Sequence, residues 1–426
     1  MAPELQSAVF LPLSAQTDDP GTITWCRGVP LLIAEELQRL QIARASFAAW
    51  TTGKGASFRL CHLQTDPPAG HVAAYARAAR ARVGISGWGS WQGDPLLRWE
   101  VVDADGSSSR KVPVDTRAGA SCLDVVRMGF ESAKLLLGLM DDRPGPVLDS
   151  TRSDTALLAW LQDREQVWYR RRRGMEGPYD GEYRYLLSAL THDPGFEPAA
   201  RQLLRRAGGA LTASGDARTP AQKRATDAIR GLLRVRPGDH VCWTLLGMLE
   251  RGIKRPDEAE TALRRATALA QDYAPAHREL GNLMLQSKDL RKAGAHLRRA
   301  GKLSPHDPEI QFSLGTLYLE LKSRARAAQH LQVVLRLAPN TQLSKMASKL
   351  LLDLDDGPMR RPTNALNELV PAKNRTRDRD LIARTFGLRV DLDAEDITSP
   401  GDDFLDRLDD EATAWPTDDS TNWTPD

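Results

Sequence analysis

Between residues 240 and 341 the apolar and small positions recur with a fixed period. Gly247, Gly281 and Gly315 stand 34 residues apart, and each follows a leucine (Leu246, Leu280, Leu314). Twelve residues after each glycine comes an alanine (Ala259, Ala293, Ala327), and four further on a leucine (Leu263, Leu297, Leu331). Ala266, Ala300 and Val334 recur in phase, Pro305 and Pro339 close the second and third copies, and Pro237 sits in the same phase before the first. This spacing predicts paired helices. Small residues at facing positions let two antiparallel helices approach, and the leucines fill the seam. A proline cannot continue a helix, so it ends each copy. One such pair cannot bury both of its apolar faces, so the pairs must stack.

Weaker copies extend upstream. Ala225, Ile229 and Leu232 up to Pro237 read as a second helix of a pair, with Glu197 to Ala207 as the first. The loop GGALTASGDARTP between them is longer than in the regular copies. Tyr185 to Ala189 reads as another second helix, partnered by Thr155 to Arg172 across the loop GMEGPYDG. The expected array runs over 150–354, with about five copies, two of them irregular, by the count of phased helices.

Residues 1–142 carry a different pattern. AVFLPL (8–13) reads as a buried strand, Val29 to Ile42 as a helix and RASFAAW (44–50) as a strand. His71 to Arg82 reads as a second helix. VGISGWGSW (83–91) and LRWEVVD (97–103) flank a turn at QGDP, and KVPVD follows Asp105-Gly106. In 97–103 the apolar Leu97, Trp99 and Val101 alternate with Arg98 and Glu100, as in a half-buried strand. Leu123 to Met140 closes the series as an amphipathic helix. The order βαβαβββα predicts an α/β layered domain.

These residues carry two resemblances. Residues 240–341 resemble the tetratricopeptide repeat family, with Leu-Gly on the first helix, small residues on the second and proline at the end. Trp243 keeps the family's tryptophan, which His277 and Gln311 replace in later copies; Tyr318 keeps its aromatic position, which Glu250 and Met284 do not; and Gln271 stands for the first terminal proline. Phe10-Leu11-Pro12-Leu13, Arg27-Gly28 ahead of the IAEEL helix, and GISGWGSW followed by LRWEVVDADG resemble the TolB amino-terminal-like domain, a group that includes FlgO-like proteins. That second resemblance implies a bacterial chain and a non-catalytic interaction domain ahead of the repeats.

Charge changes the picture only when it is localised. The 58 Lys+Arg and 56 Asp+Glu give a formal net charge of +2, which by itself points to neither nucleic acid nor anionic membrane. Residues 389–426 hold 13 acids against Arg389 and Arg407, a net −11, so the remainder carries +13. The segment 355–426, basic then acidic and rich in Pro and Asp, is expected to be disordered, with a short helix at Leu381 to Leu388. Cys26, Cys61, Cys122 and Cys242 are scattered without CxxC spacing, which argues for plain thiols. The first 20 residues lack a basic segment and a secretory apolar run, and no stretch reaches membrane-spanning length. A cytoplasmic location is expected.

Catalytic patterns fail on inspection. AWTTGKG lacks the first glycine and the Ser/Thr of a phosphate-binding loop, with Ala48 and Gly55 in those places. Gly84, Gly87, Gly89 and Gly93 miss dinucleotide spacing and suit a bent strand, and Trp88 breaks a GxSxG elbow. Cys61, His62 and His71 lack a fourth ligand for zinc. No cofactor, metal or enzymatic activity is expected. Arg170 to Arg173 beside Trp168 and Tyr169 is the sharpest basic cluster, and suits a solvated helix end, with nucleic acid as the other reading.

In the repeat family the concave groove is lined by four positions of each first helix. Here these are Val241, Thr244, Met248 and Arg251; Pro275, Arg278, Asn282 and Leu285; and Glu309, Phe312, Thr316 and Leu319. Arg278 and Asn282 share a helix face, and in the family a basic residue and Asn at these positions form part of a clamp for a peptide carboxylate. Met248, Phe312 and Leu319 would give an apolar floor, and Arg251 a further basic group. The partner-binding candidates are therefore Arg278, Asn282, Arg251, Met248, Phe312 and Leu319. The expected function is a protein-protein interaction scaffold, with homo-oligomerisation open. The alternative is a nucleic-acid or nucleotide-linked regulator whose basic body is shielded by the acidic tail.

Overall fold

The computed structural model describes residues 6–49, 51–52, 59–91, 95–114, 120–139, 151, 153–175, 181–213, 218–355 and 423–425. The charge-split tail beyond Asp355, with the expected helix at Leu381 to Leu388, lies outside the described residues except for 423–425, as do Gly53, Lys54, Gly55 and Gly93. The chain divides into two compact units, one built on Met1–Ala199 with Asp391–Asp426, the other on Ala200–Val390.

The first unit opens β1 (Ser7–Phe10), α1 (Pro20–Arg39), β2 (Arg44–Phe47), β3 (Thr51–Thr52), β4 (Arg59–Leu63) and α2 (Ala69–Ala78). It continues β5 (Val83–Ser90), β6 (Leu96–Asp103), β7 (Ser109–Pro113) and α3 (Cys122–Leu136). The main sheet has the order β2-β1-β5-β6-β7. β1 runs parallel to β2 and β5, while β6 and β7 are antiparallel additions. A small second sheet joins β3, β4 and β8 (Trp423–Pro425). The α/β layer expected from the sequence is present, with β3 and β4 as extra strands.

α1 begins nine residues earlier than the apolar stripe indicates. Asp19 caps it by accepting from the Thr22 amide at 2.7 Å, and Pro20 supplies a pre-set first turn. Pro30 lies inside the helix and has no N–H for the Cys26 carbonyl. That carbonyl instead accepts the Leu13 amide at 2.9 Å, which ties the segment after β1 to the helix. Gly87 in β5 has φ +150, and a Cβ there would overlap the Arg98 carbonyl on β6. The core gathers Phe10, Trp25, Trp99 and Phe130, with the Trp99 ring edge-on to Phe10 and its Nε1 donating to the Gly129 carbonyl at 3.2 Å.

α4 (Asp154–Arg172) and α5 (Arg184–His192) form as the sequence indicates, but α4 packs on α1 within the first unit. A Cβ on Gly28 would lie 2.8 Å from the Leu161 Cβ, so the glycine is what admits this helix. Arg27 Nη1 pairs with Glu165 Oε1 at 3.0 Å, and Arg164 pairs with Glu35. α4 and α5 thus fall within the first compact unit, which runs to Ala199.

The second unit carries α6 (Glu197–Gly209) from its fourth residue, a 3-10 turn at Ala210–Thr212, and α7 (Arg218–Val235). Then come the hairpins α8 (His240–Gly252)/α9 (Pro256–Leu269), α10 (Ala274–Gln286)/α11 (Leu290–Leu303) and α12 (Pro308–Glu320)/α13 (Arg324–Leu337). α14 (Gln342–Asp355) packs on the last of them. The glycine–leucine phase is the lock of each hairpin. A Cβ on Gly247, Gly281 or Gly315 would approach Leu263, Leu297 or Leu331 to 2.5, 2.6 and 2.9 Å. The turn inside each hairpin repeats as well. Lys254, Lys288 and Lys322 hold φ of 64, 63 and 58, and the residue after each donates its amide to a carbonyl five residues back. This is the left-handed helix ending that glycine usually supplies.

Candidate functional site

The groove positions sit on α8, α10 and α12, one first helix per repeat. They are joined by a ladder of ion pairs. Arg251 Nη2 lies 2.9 Å from Glu279 Oε2. Arg278 donates through Nε at 3.0 Å and Nη2 at 2.9 Å to Glu279 Oε1, and through Nη1 to Glu309. The order Arg251–Glu279–Arg278–Glu309 thus crosses all three helices.

Arg278 is 3% exposed and Glu279 3%, so the centre of the ladder is out of water. Burial opposes charge on Arg278, but the carboxylates of Glu309, Glu279 and Asp307 outweigh it and hold the guanidinium above its ordinary pKa. Burial likewise opposes charge on Glu279, and Arg251 with Arg278 overcome it, leaving that carboxyl below its usual range. Glu309 ends on the other side of the balance. Burial, with repulsion from Asp307 and Glu279, pushes it up to about 7 despite Arg278. A buried pair of this kind stabilises only while both partners remain.

The structure treats the six sequence-derived candidates differently. Arg278 is already bonded to two carboxylates of the chain itself. Phe312 and Leu319 are buried in an apolar cluster with Val334, Ala347 and Leu350, so α14 covers what the sequence places on the groove floor. Met248 is half-buried. Arg251 and Asn282 hold unused hydrogen-bonding capacity: Arg251 Nη1 and Asn282 Oδ1 are buried and have no hydrogen-bond partner. Glu279 and Glu309, the two carboxylates that organise the site, were missed as a pair. Glu279 falls outside the groove positions, and its role depends on contacts between helices.

The remaining candidates resolve into local contacts. Arg170, Arg171 and Arg172 end α4, and Arg173 Nη1 donates to the Tyr169 hydroxyl at 3.1 Å while its guanidinium sits over that ring. Trp168 packs edge-on against Phe47. His62 Nε2 lies 3.1 Å from Asp18 Oδ1, and among the described residues no cluster of three His, Cys, Asp or Glu is placed to hold a metal. Cys26, Cys122 and Cys242 are buried thiols, and burial pushes Cys26 up to about 12. Ser14 Oγ donates to Asp66 Oδ1 at 2.9 Å, while Arg98 and Lys111 hold Asp66 Oδ2 at 2.5 and 3.0 Å. Burial works against charge on Asp66, but Lys111, Ser14 and Arg98 together keep its pKa low, so this cluster is a charged cross-link rather than a base beside a nucleophile. Among the described residues no helix is long and apolar enough to cross a membrane.

Comparison with known proteins bears on the second unit. The tetratricopeptide repeat family model matches residues 284–350. No curated protein sequence matches the chain. Among solved structures, MamA from Desulfovibrio magneticus RS-1 is similar at 23% identity over 45% of this chain and 99% of that one, with a TM-score of 0.33. YrrB, a tetratricopeptide repeat protein with an unusual peptide-binding site, is similar at 16% identity over 47% and 93%, with a TM-score of 0.32. A further MamA structure gives 17% identity over 43% and 92%, with a TM-score of 0.31. At such scores these likenesses carry no weight of their own. The matched segment and the unbroken 34-residue phase do: the chain carries a tetratricopeptide repeat array.

Proposed function

We propose that the chain is a non-enzymatic adaptor whose repeat array binds a peptide segment of a protein partner along its concave face. The observation that carries this reading is the pair of unused groups on successive first helices. Arg251 Nη1 is a donor and Asn282 Oδ1 an acceptor, and neither has a hydrogen-bond partner. Buried polar groups without partners are costly, and an extended peptide backbone offers the complement of both. The half-buried Met248, three residues before Arg251 on the same helix, supplies an adaptable apolar contact. Arg278 holds the ladder that fixes these groups and is not itself the clamp. Residues 1–142, a TolB amino-terminal-like domain in this reading, serve as a second contact surface.

The test is affinity capture from the native cell with the full chain and with Asn282→Ala and Arg251→Met, followed by mass spectrometry. A partner retained by the parent and lost by both variants supports the groove. A partner retained equally by all three places recognition on another surface.

A further inference from the structure

One departure of the first repeat from the other two leaves space between helices. Glu250 stands where the later copies have Met284 and Tyr318, and Ala262 where they have His296 and His330. In the second copy His296 Nδ1 lies 3.2 Å from His277 Nδ1, and in the third His330 stacks on Tyr318 at 5.3 Å. In the first copy both the imidazole and the apolar side chain are missing. A cleft of about 290 Å³ opens there, lined by α7, α8 and α9 through Arg230, Trp243, Leu246, Glu250, Glu258 and Ala262.

The most buried charge in this cleft is half-used. Glu250 is 1% exposed; its Oε1 accepts from Arg230 Nη2 at 2.6 Å, and its Oε2 has no hydrogen-bond partner. Burial pushes its carboxyl up, against the pull of Arg230 and Arg255 and with repulsion from Glu258. Arg230 is also drawn to Asp227, 3.9 Å away. Asp257 and Glu258 add two exposed carboxylates from the first turn of α9. Asp227, Glu250, Asp257 and Glu258 therefore outnumber the cations Arg230 and Arg255.

The volume sits at the lower edge of small-molecule sites, which suits one side chain rather than a cofactor. Trp243, Leu246 and Ala262 present apolar surface to an alkyl stem, and an indole face attracts a cation. A compact ammonium can reach a single carboxylate oxygen, whereas a second guanidinium would need the oxygen that Arg230 already holds. We propose that this cleft receives a lysine side chain of a protein partner, its ammonium meeting Glu250 Oε2 and the rim carboxylates and its stem lying along Trp243. The proposal rests on the array being a protein-binding module but uses neither Arg251 nor Asn282.

The test is titration of the full chain with N-acetyl-lysine methylamide, following the Trp243 indole N–H resonance, assigned through Trp243→Phe. Saturable binding in the roughly millimolar range of a single side chain is expected. N-acetyl-norleucine methylamide, with a similar stem and no charge, should bind at least about tenfold more weakly. Glu250→Gln should weaken the lysine probe by about tenfold. The exposed pair Asp257→Asn/Glu258→Gln, which leaves the core untouched, should weaken it about threefold with an unchanged circular dichroism spectrum. No shift at about 50 mM probe, equal binding of norleucine, tighter binding of the arginine analogue, or full binding by both variants overturns the proposal. Because the probe is a free lysine derivative, its failure leaves the groove reading intact, and a lost groove partner leaves this cleft intact.

Discussion

Arg278→Met is the sharpest test of how the ladder is built. The substitution keeps an unbranched apolar stem and removes the guanidinium with its charge. Arg278 is 3% exposed and serves two carboxylates, Glu279 through two nitrogens and Glu309 through a third. Without it Glu279 keeps Arg251, and Glu309 loses its cation while Asp307 and Glu279 remain nearby. Breaking a buried pair by deleting one partner costs about 3–5 kcal/mol. Glu309, already pushed up to about 7, relieves part of this by taking a proton. The loss should therefore be near the upper figure at pH 8 and visibly smaller at pH 5. Urea unfolding of the full chain at both pH values, followed by circular dichroism, measures it. Arg278→Met/Glu309→Gln should recover about 1–3 kcal/mol at pH 8, since the orphaned charge is gone. A single variant within about 0.5 kcal/mol of the parent at pH 8 would refute the ladder and return Arg278 to the free side chains.

Three further outcomes are expected. Gly281→Ala should destabilise the array by about 1–2 kcal/mol, because its Cβ meets Leu297 at 2.6 Å and overpacking exceeds the helix-propensity gain; Gly209→Ala, with open space at its Cβ, should instead be neutral or stabilising in the same urea assay. Lys254→Gly should raise stability by about 0.5 kcal/mol in thermal unfolding, since φ 64 strains a lysine and suits glycine. His277 and His296 are both held below the ordinary imidazole pKa, first by burial; Arg299 adds to this at His277 against the Gln271 carbonyl, and His277 and Arg264 add to it at His296. The unfolded chain then binds protons more readily, so their contribution is complete above the unfolded value of 6.5 and is lost as pH falls below it. His296→Gln should flatten the stability profile between pH 7 and pH 5, read by chemical denaturation.

The regular hairpins were legible because Gly, Ala, Leu and Pro each have one physical job in them, and those jobs recur in phase. The left-handed turns at Lys254, Lys288 and Lys322 are not legible in the sequence because lysine carries no compositional sign of positive φ. The start of α1 is written in Asp19-Pro20, but Gly28 and Pro30 break the apolar stripe along the helix. Both irregularities have tertiary reasons, one admitting Leu161 and the other releasing the Cys26 carbonyl. The periodicity marks the first helices of the repeats, but not the charges that meet between them. Glu309 lies 31 residues from Arg278, and periodicity gives no information on which charges cancel. Phe312 and Leu319 looked like a floor because α14 follows the last phased proline and carries no Leu-Gly signature of its own.

Pro30 has a consequence beyond its own helix. A regular helix spends every interior carbonyl on itself and offers its neighbours only side chains. By lacking one hydrogen, Pro30 leaves a backbone oxygen in the middle of α1 available to another part of the chain, and Leu13 takes it. The helix and the strand-end segment are thereby joined main chain to main chain, a connection indifferent to which side chains occupy either partner. Sequence drift at positions 13 and 26 can alter packing there without cutting that stitch, whereas restoring an amide at position 30 would return a helical donor to the oxygen that Leu13 uses.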